Sequence, residues 1–313
     1  MSGTWFRADG ADADTLLKQA AEAAKKPFEP RVMPDEDAVG AAQLAELRAV
    51  AAEKPKEESV SLALLGGRGA QRLYALLRGL AVDGDPLIKR LDVYTQDAFV
   101  PMRRDSSLTF VRFYESELGP EFFSSIHRFT TIDSEAADLE EETKRHLTQL
   151  PADGFDIMMM GHGPEPGDCS HVSYIRAGSG ATVADGAGLC PVSDVVLEHH
   201  ISKFKACGAV ISAEDEAECR RRSNTIWTIG PATILKAKRI VQSVVDASTA
   251  TAKKRTYRKV LETELAVNNL AALQKQLQEN PGLLARCHPN VVSLILPDVL
   301  DDAEPASKKL KTE

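Results

Sequence analysis

The sequence predicts an α/β fold: a doubly wound, mostly parallel sheet with helices on both faces. Three observations predict it. Short apolar runs of strand length alternate with segments whose apolar residues recur at helical spacing, and that alternation means a parallel sheet covered on both sides. The clearest unit is "SLALLGGRGAQRLYALL", residues 61–77, in which a buried-strand run, a glycine turn and a helical pattern follow one another. No self-similarity with a period of 20–50 residues is visible, so a solenoid or propeller is not indicated.

The elements follow in order. "ADADTLLKQAAEAAKK", residues 11–26, has helical character and is ended by the proline-containing "PFEPRVMP",. It is expected as an exposed or docking helix, so residues 1–30 are set apart as an N-terminal helical extension of a domain spanning 31–300. A second helix runs from about Asp37 to Glu53 with Val39, Leu44, Leu47 and Val50 on its apolar face. "KPKEES" separates it from the strand Ser61–Leu65, and Ala70–Leu80 is helical. A strand near Leu91–Tyr94, a helix over Leu108–Leu118 and an acidic helix over Ser134–Leu150 lead to the strand "FDIMMMG". "TIWTIG" is a strand, "PATILKAK" a helix begun by proline, and "RIVQSVV" another strand,. Helical patterns cover Thr249–Glu262 and Leu265–Glu279, and "NVVSLIL" closes the set. The polar tail "DDAEPASKKLKTE", residues 301–313, is expected to be disordered,.

Composition narrows the function. A chain of 313 residues, 43% hydrophobic and 27% charged, fits a globular protein able to bury a sizeable core,. A net charge of −8 gives no general electrostatic case for nucleic acid,. The five cysteines, at 169, 190, 207, 219 and 287, form no C-x-x-C pair. That argues against a disulfide framework or a structural zinc site and suits a reducing compartment. No apolar run approaches the roughly 20 residues of a membrane span, and the N-terminus lacks a secretory apolar segment,. The cytoplasm is expected, with "SKKLK" in the tail as a candidate nuclear-import signal or a solvated basic tail,.

In such sheets ligands bind outside the carboxyl ends of the strands. Three loops qualify: Gly66–Gly69, Gln96–Ser107 and Gly161–Gly180. They carry Arg68, Asp97, Arg103, Arg104, His162, Glu165, Asp168, His171 and Arg176. Acids, histidines and arginines gathered on strand-end loops point to an anionic small molecule handled by acid–base chemistry. Each residue alone reads equally well as a solvated loop charge. Gly66, Gly67, Arg68 and Gly69 form the layout that brings backbone N–H groups and a helix N-terminus onto a phosphate; an ordinary strand-to-helix turn reads the same way. The dinucleotide pattern G-x-G-x-x-G fails at Arg72,. A nucleotide would also need an acid about 20 residues on, where only Asp85 and Asp92 stand.

Over roughly residues 32–300 the loops resemble those of glucosamine-6-phosphate deaminase (isomerase) and its relative 6-phosphogluconolactonase. "SLALLGGRGAQRLYALL" is similar to the family's strand, G-G/S-S-T-P phosphate loop and helix. "TQDAFVPMRRDSS" resembles the deaminase D-E-Y-V or the lactonase D-E-R-x-V-P segment. "FDIMMMGHGPEPGDCSHVSYIRAGS" is similar to F-D-L-x-x-x-G-x-G-x-D-G-H-x-A-F-N-E-P-G-S, "TIWTIGPATILKAKRIV" to T-x-T-V-G-x-G-T-x-x-x-A-K-x-V, and "CHPNVVSLIL" to the H-P segment before the last strand. The resemblance implies sugar-phosphate chemistry of the deaminase or lactonase type. Asp97 stands at the proton-moving carboxylate, His171 at the ring-opening histidine, and Gly66–Gly69 with Arg176 on the substrate. It implies no metal and no organic cofactor; the partner is a phosphorylated sugar, with no nucleic acid and no membrane.

Four departures bear on the chemistry. Arg68-Gly69 replaces the hydroxyl-bearing pair of the phosphate loop, with Ala70 for the proline that follows. The carboxylate that supports the histidine falls on Arg176. Cys169-Ser170 replaces the D-G before the histidine, with residues inserted ahead of it. The phosphate lysine falls on Thr249. An arginine beside His171 would disfavour the imidazolium and leave a weaker acid, whereas Arg68 would add a bidentate cation. The alternative function is therefore a non-catalytic sugar-phosphate sensor or scaffold of the same fold. The discriminating feature is whether a carboxylate lies within hydrogen-bond reach of His171. Three other features read as structural. His199-His200, taken as strand neighbours, point to opposite faces and cannot chelate one ion. Cys169 is expected to be an inert loop cysteine. "ECRRRSN" is expected to close an acidic helix,.

Overall fold

The computed structural model describes residues 2–222, 224–247 and 251–301. In chain order the strands and α-helices are β1 (Thr4–Arg7), α1 (Ala13–Ala24), β2 (Arg31–Val32), α2 (Glu36–Glu53), β3 (Val60–Leu64), α3 (Gln71–Val82), β4 (Leu91–Thr95), β5 (Asp97–Val100), α4 (Phe110–Ser125), β6 (Arg128–Thr130), α5 (Leu139–Leu147), β7 (Ile157–Met160), β8 (Gly163–Pro164), β9 (Ser170–His171), β10 (Asp185–Pro191), α6 (Asp194–Ala206), α7 (Ala213–Arg222), β11 (Thr225–Ile229), α8 (Pro231–Leu235), β12 (Ile240–Val244), α9 (Ala252–Glu262), α10 (Leu270–Glu279) and β13 (Val291–Ile295).

Seven strands form a sheet in the order β2-β13-β12-β7-β3-β4-β6, with every pair parallel. Alternate side chains serve its two faces, as the two-residue pleat requires. Leu62, Leu64, Val93, Ile157, Met159 and Val241 pack with α2, α3, α4 and α6 in one core. Ala63, Tyr94, Met158, Met160 and Ile240 pack with α1, α8 and α10 in the other. The doubly wound arrangement is thus present, and continuous apolar runs such as "IMMM" are explained by burial on both faces,.

Helix starts follow from local chemistry. Asp12, Asp35, Thr109, Asp138 and Asn269 each accept a hydrogen bond from a first-turn N–H of the helix they precede,. The helical run from Leu108 does pass Leu118, but Gly119 (φ 78°, ψ 164°) breaks its backbone before Pro120.

Several expectations are corrected. "TIWTIG" is a strand, but β11 lies in a separate antiparallel sheet of order β1-β10-β11-β5. Asp97, expected on a loop, begins β5 in that second sheet, separated only by Gln96 from the end of β4 in the first. Residues 1–30, expected as an appended helical extension, contribute both the edge strand β1 and core residues Leu16, Leu17, Ala20 and Ala21. β10 was not foreseen, because "DGAGLCP" reads as loop: glycine is depleted in strands,. Here a Cβ at Gly188 would overlap the Trp5 ring from β1. His199-His200 lie on helix α6, not on a strand. His200 is a core residue whose Nε2 lies 2.9 Å from the Leu108 carbonyl, with its ring 4.1 Å from that of Phe99. Thr249, at the position of the phosphate lysine, and the tail from 302 onward lie outside the described residues.

Candidate active site

The chain leaves β3 toward β4 and β6 on one side, and leaves β7 toward β12 and β13 on the other. The carboxyl ends of β3 and β7 therefore flank a topological switch point, where open α/β sheets bind ligands. Gln96, just past β4, ties this crevice together. Its Nε2 donates to the Met159 carbonyl at 2.6 Å, and its Oε1 accepts from Ser173 Oγ at 3.0 Å.

Asp97 is buried beside this crevice, 5% exposed. Its Oδ1 accepts from Thr228 Oγ1 at 2.6 Å. Burial pushes its carboxyl up to about 7, against the opposing effects of the Thr228 hydrogen bond and the Lys203 ammonium,. A cavity of about 200 Å³ opens beside it, between Phe99, the start of α4 at Phe110 and the Thr131–Ser134 loop, with Arg104 and Arg145 on its wall.

The second candidate acid–base group is His171, at the end of β9. Its Nδ1 lies 2.7 Å from Glu165 Oε1. Arg176 grips the same carboxylate with two bonds, Nε to Oε1 at 2.8 Å and Nη2 to Oε2 at 2.7 Å. Burial alone would raise the Glu165 carboxyl, but the bonds from His171 and Arg176 outweigh it and hold Glu165 at about 2,. Of the two environments left open for His171, a carboxylate within hydrogen-bond reach or Arg176 alone, the structure has the carboxylate. The supporting carboxylate comes from six residues upstream, because the β8–β9 hairpin pairs Gly163 with His171 and folds Glu165 back onto the ring. Arg176, expected on the substrate, is committed to Glu165. A Cβ at 163 would overlap the imidazole, so glycine there is required for the ring's position.

Asp97 and His171 converge on Tyr174. The His171 ring stacks on the Tyr174 ring at 5.8 Å and 16°, and the Tyr174 N–H donates to Thr228 Oγ1, the group that holds Asp97. Lys203 of α6 completes the set, and sequence reasoning missed it. Its Nζ lies 5.8 Å above the Tyr174 ring, 5.5 Å above that of Phe110 and 3.4 Å from the Gly66 carbonyl. Burial lowers the Lys203 ammonium, and Asp97 opposes that shift. The available signal was "ISKFKA", one face of an unforeseen helix.

The glycine turn is shaped mainly by packing. Gly67 has φ +118°, a backbone that favours glycine, and Lys203 lies against it,. A Cβ at Gly66 would overlap the Phe110 ring, and one at Gly69 would press on Ser243 Oγ. Arg68 turns to Glu36 (2.9 Å) and Asp246 (2.9 Å). Lys253 of α9 joins the same group through Asp246 and the Val245 carbonyl. Of the remaining loop charges, Arg103 pairs with Asp105, Asp215 and Glu218, Asp168 with Arg255, and His162 Nε2 lies 2.8 Å from Thr256 Oγ1. Burial pushes His162 down to about 3 and the Cys169 thiol up. Asp92 pairs in register with Ser61 near the amino end of β3, so it lies at the wrong end of the sheet for a ribose at the glycine turn. Among the described residues, no group of three or more His, Cys, Asp or Glu is placed to hold a metal ion, and no helix is long and apolar enough to cross a membrane.

The chain has the α/β fold seen in glucosamine-6-phosphate deaminases and 6-phosphogluconolactonases. A monomeric glucosamine-6-phosphate deaminase superposes with a TM-score of 0.63 at 17% identity, over 87% of this chain and 98% of that one. The 6-phosphogluconolactonase from Trypanosoma cruzi gives 0.58 at 14% identity, over 88% and 97%. That from Shewanella baltica gives 0.58 at 12% identity, over 87% and 98%. The resemblance read from the loops thus holds at the level of the fold. No protein-family model matches the chain, and no curated protein does.

Proposed function

We propose that this chain performs acid–base catalysis on a phosphorylated sugar, of the glucosamine-6-phosphate deaminase type. The observation that carries the reading is the 2.7 Å contact between His171 Nδ1 and Glu165. A carboxylate on Nδ1–H fixes the tautomer, leaves Nε2 free to take a proton, and stabilises the charge that then forms. His171 would open the sugar ring. Asp97, at about 7, would carry a proton between adjacent carbons, since a group poised near the working pH both accepts and releases it. Lys203, against Gly66 and Gly67, would meet the phosphate in place of the missing hydroxyls, with the glycine-turn N–H groups beside it. Hydrolysis of 6-phosphogluconolactone is the second reading. It needs only one base activating water, and the Glu165–His171 pair supplies that as well.

The test measures ammonia release from glucosamine 6-phosphate and acid release from 6-phosphogluconolactone by the full chain. Turnover of the amino sugar is expected, falling about 10²–10⁴-fold in Asp97→Asn and His171→Gln. Lys203→Ala should weaken phosphosugar-induced thermal stabilisation about ten- to a hundredfold in ligand concentration. Lactone turnover alone would select the second reading. Binding without either reaction would select the sensor.

A further inference from the structure

We infer that Thr228 is a positioning residue whose one hydroxyl joins the strand that carries Asp97 to the loop that carries His171. Thr228 and Asp97 face each other as paired residues of β11 and β5, so their side chains leave the same face of the sheet. Thr228 is fully buried. Its Oγ1 receives the Tyr174 N–H at 3.0 Å and lies 2.6 Å from Asp97 Oδ1. A hydroxyl has one proton. The Tyr174 amide occupies a lone pair, and the other nearby acceptor, the Ile229 carbonyl, is at 3.3 Å. The proton is thus directed to Asp97 Oδ1. Asp97 Oδ1 is then an acceptor in either protonation state, and a proton carried by Asp97 resides on Oδ2. Proton traffic passes through that single oxygen.

This inference rests on the reading of Asp97 as the proton carrier, but its test does not. The groups facing Asp97 are the Tyr174 backbone N–H, which Asp97 shares with Thr228, the Lys203 ammonium on α6, the Tyr174 and Tyr114 phenols and the Cys190 thiol on β10. Arg104, Arg145 and Asp133 line the adjoining cavity. Thr228→Val leaves all of these in place and removes only the hydroxyl. A lost donor to a carboxylate raises its proton affinity; because the neutral acid keeps the same bond, the shift is the difference between a charged and a neutral hydrogen bond, about 0.5–1 pH unit.

The experiment follows the Asp97 carboxyl and the Tyr174 amide by NMR in the full chain without substrate. In Thr228→Val, Asp97 should titrate about 0.5–1 pH unit higher and the Tyr174 amide should exchange faster. Thr228→Ser should restore both. Thr228→Ala carries the same test if the valine chain does not fold. An Asp97 titration unmoved by loss of the hydroxyl overturns the inference, as does failure of serine to restore it. A shifted Asp97 in a chain that turns over no sugar phosphate would overturn the proposed function and leave the positioning role standing.

Discussion

At His171 the group that matters is supplied from upstream. Glu165 is 7% exposed at its side chain and holds both an imidazole and a guanidinium. Glu165→Gln should lower turnover at least about 10²-fold, because the neutral amide no longer fixes the tautomer or offsets imidazolium charge. It should also cost about 2–3 kcal/mol in chemical denaturation, since half-buried Arg176 loses its carboxylate. Arg176→Glu, which would rescue a histidine lacking an acid, is instead expected to set two carboxylates together and lower both activity and stability. Asp97 makes the opposite case. Its carboxyl is raised by burial to about 7, so its contribution is fully present below the ordinary carboxylate range and is lost as pH rises toward 7. Asp97→Asn should therefore gain melting temperature over the natural chain at pH 8 and little at pH 4, while losing turnover. Equal melting temperatures at pH 8 would contradict the buried charge.

At the scale of elements, the turn between β3 and α3 carries two messages in one glycine run. A Cβ at Gly66 would enter the space of the buried Phe110 ring. Gly66→Ala should thus destabilise the chain by about 1–3 kcal/mol, the cost of overpacking a filled core, before any loss of ligand binding. Gly66→Ala combined with Phe110→Leu should recover part of that loss, a coupling that a double-mutant cycle measures. Helix α6 delivers Lys203 to the other side of the same turn. Its start at Ser193-Asp194 has ordinary capping chemistry, but the paired histidines dilute the helical period of "DVVLEHHISKFKA". The strand β10 hides for a different reason: its glycines are imposed by Trp5 and Ala8, which lie far away in the chain.

Across the whole molecule, Asp156 bolts the amino end of the parallel sheet, opposite the site. Its carboxylate accepts from Lys54 (2.7 Å), Lys238 (2.8 Å) and the Ser61 N–H (2.9 Å) and Oγ (3.0 Å). Burial opposes ionisation there, but these donors hold the group at about 2. Glu165 is depressed likewise. Folded-state values below the unfolded ones give stability present above about pH 4 and lost as pH falls toward 2. Asp156→Asn should remove about 2–3 kcal/mol at pH 7 and shrink the difference between pH 7 and pH 3. The turnover per folded molecule should stay unchanged, because the site lies at the other end of the strands. A changed KM in that variant would show that the two ends are coupled.

What the sequence alone determined is the periodic part of this protein. Val60–Leu64, Leu91–Thr95, Ile157–Met160, Ile240–Val244 and Val291–Ile295 are short, mainly apolar runs of strand length because both their faces are largely buried, and their alternation with helical segments specifies the parallel sheet,. The strand ends around which the glycine turn, Asp97 and His171 gather follow from that topology. Only the tertiary structure decided which groups meet there. It decided that Glu165 rather than Arg176 supports His171, that Arg68 turns to Glu36 and Asp246, and that Lys203 stands over the turn. Periodicity reports how each residue faces its own strand or helix. The pairing of charges depends on hairpin register and on contacts between residues about 30 to 180 positions apart, and no local pattern encodes those.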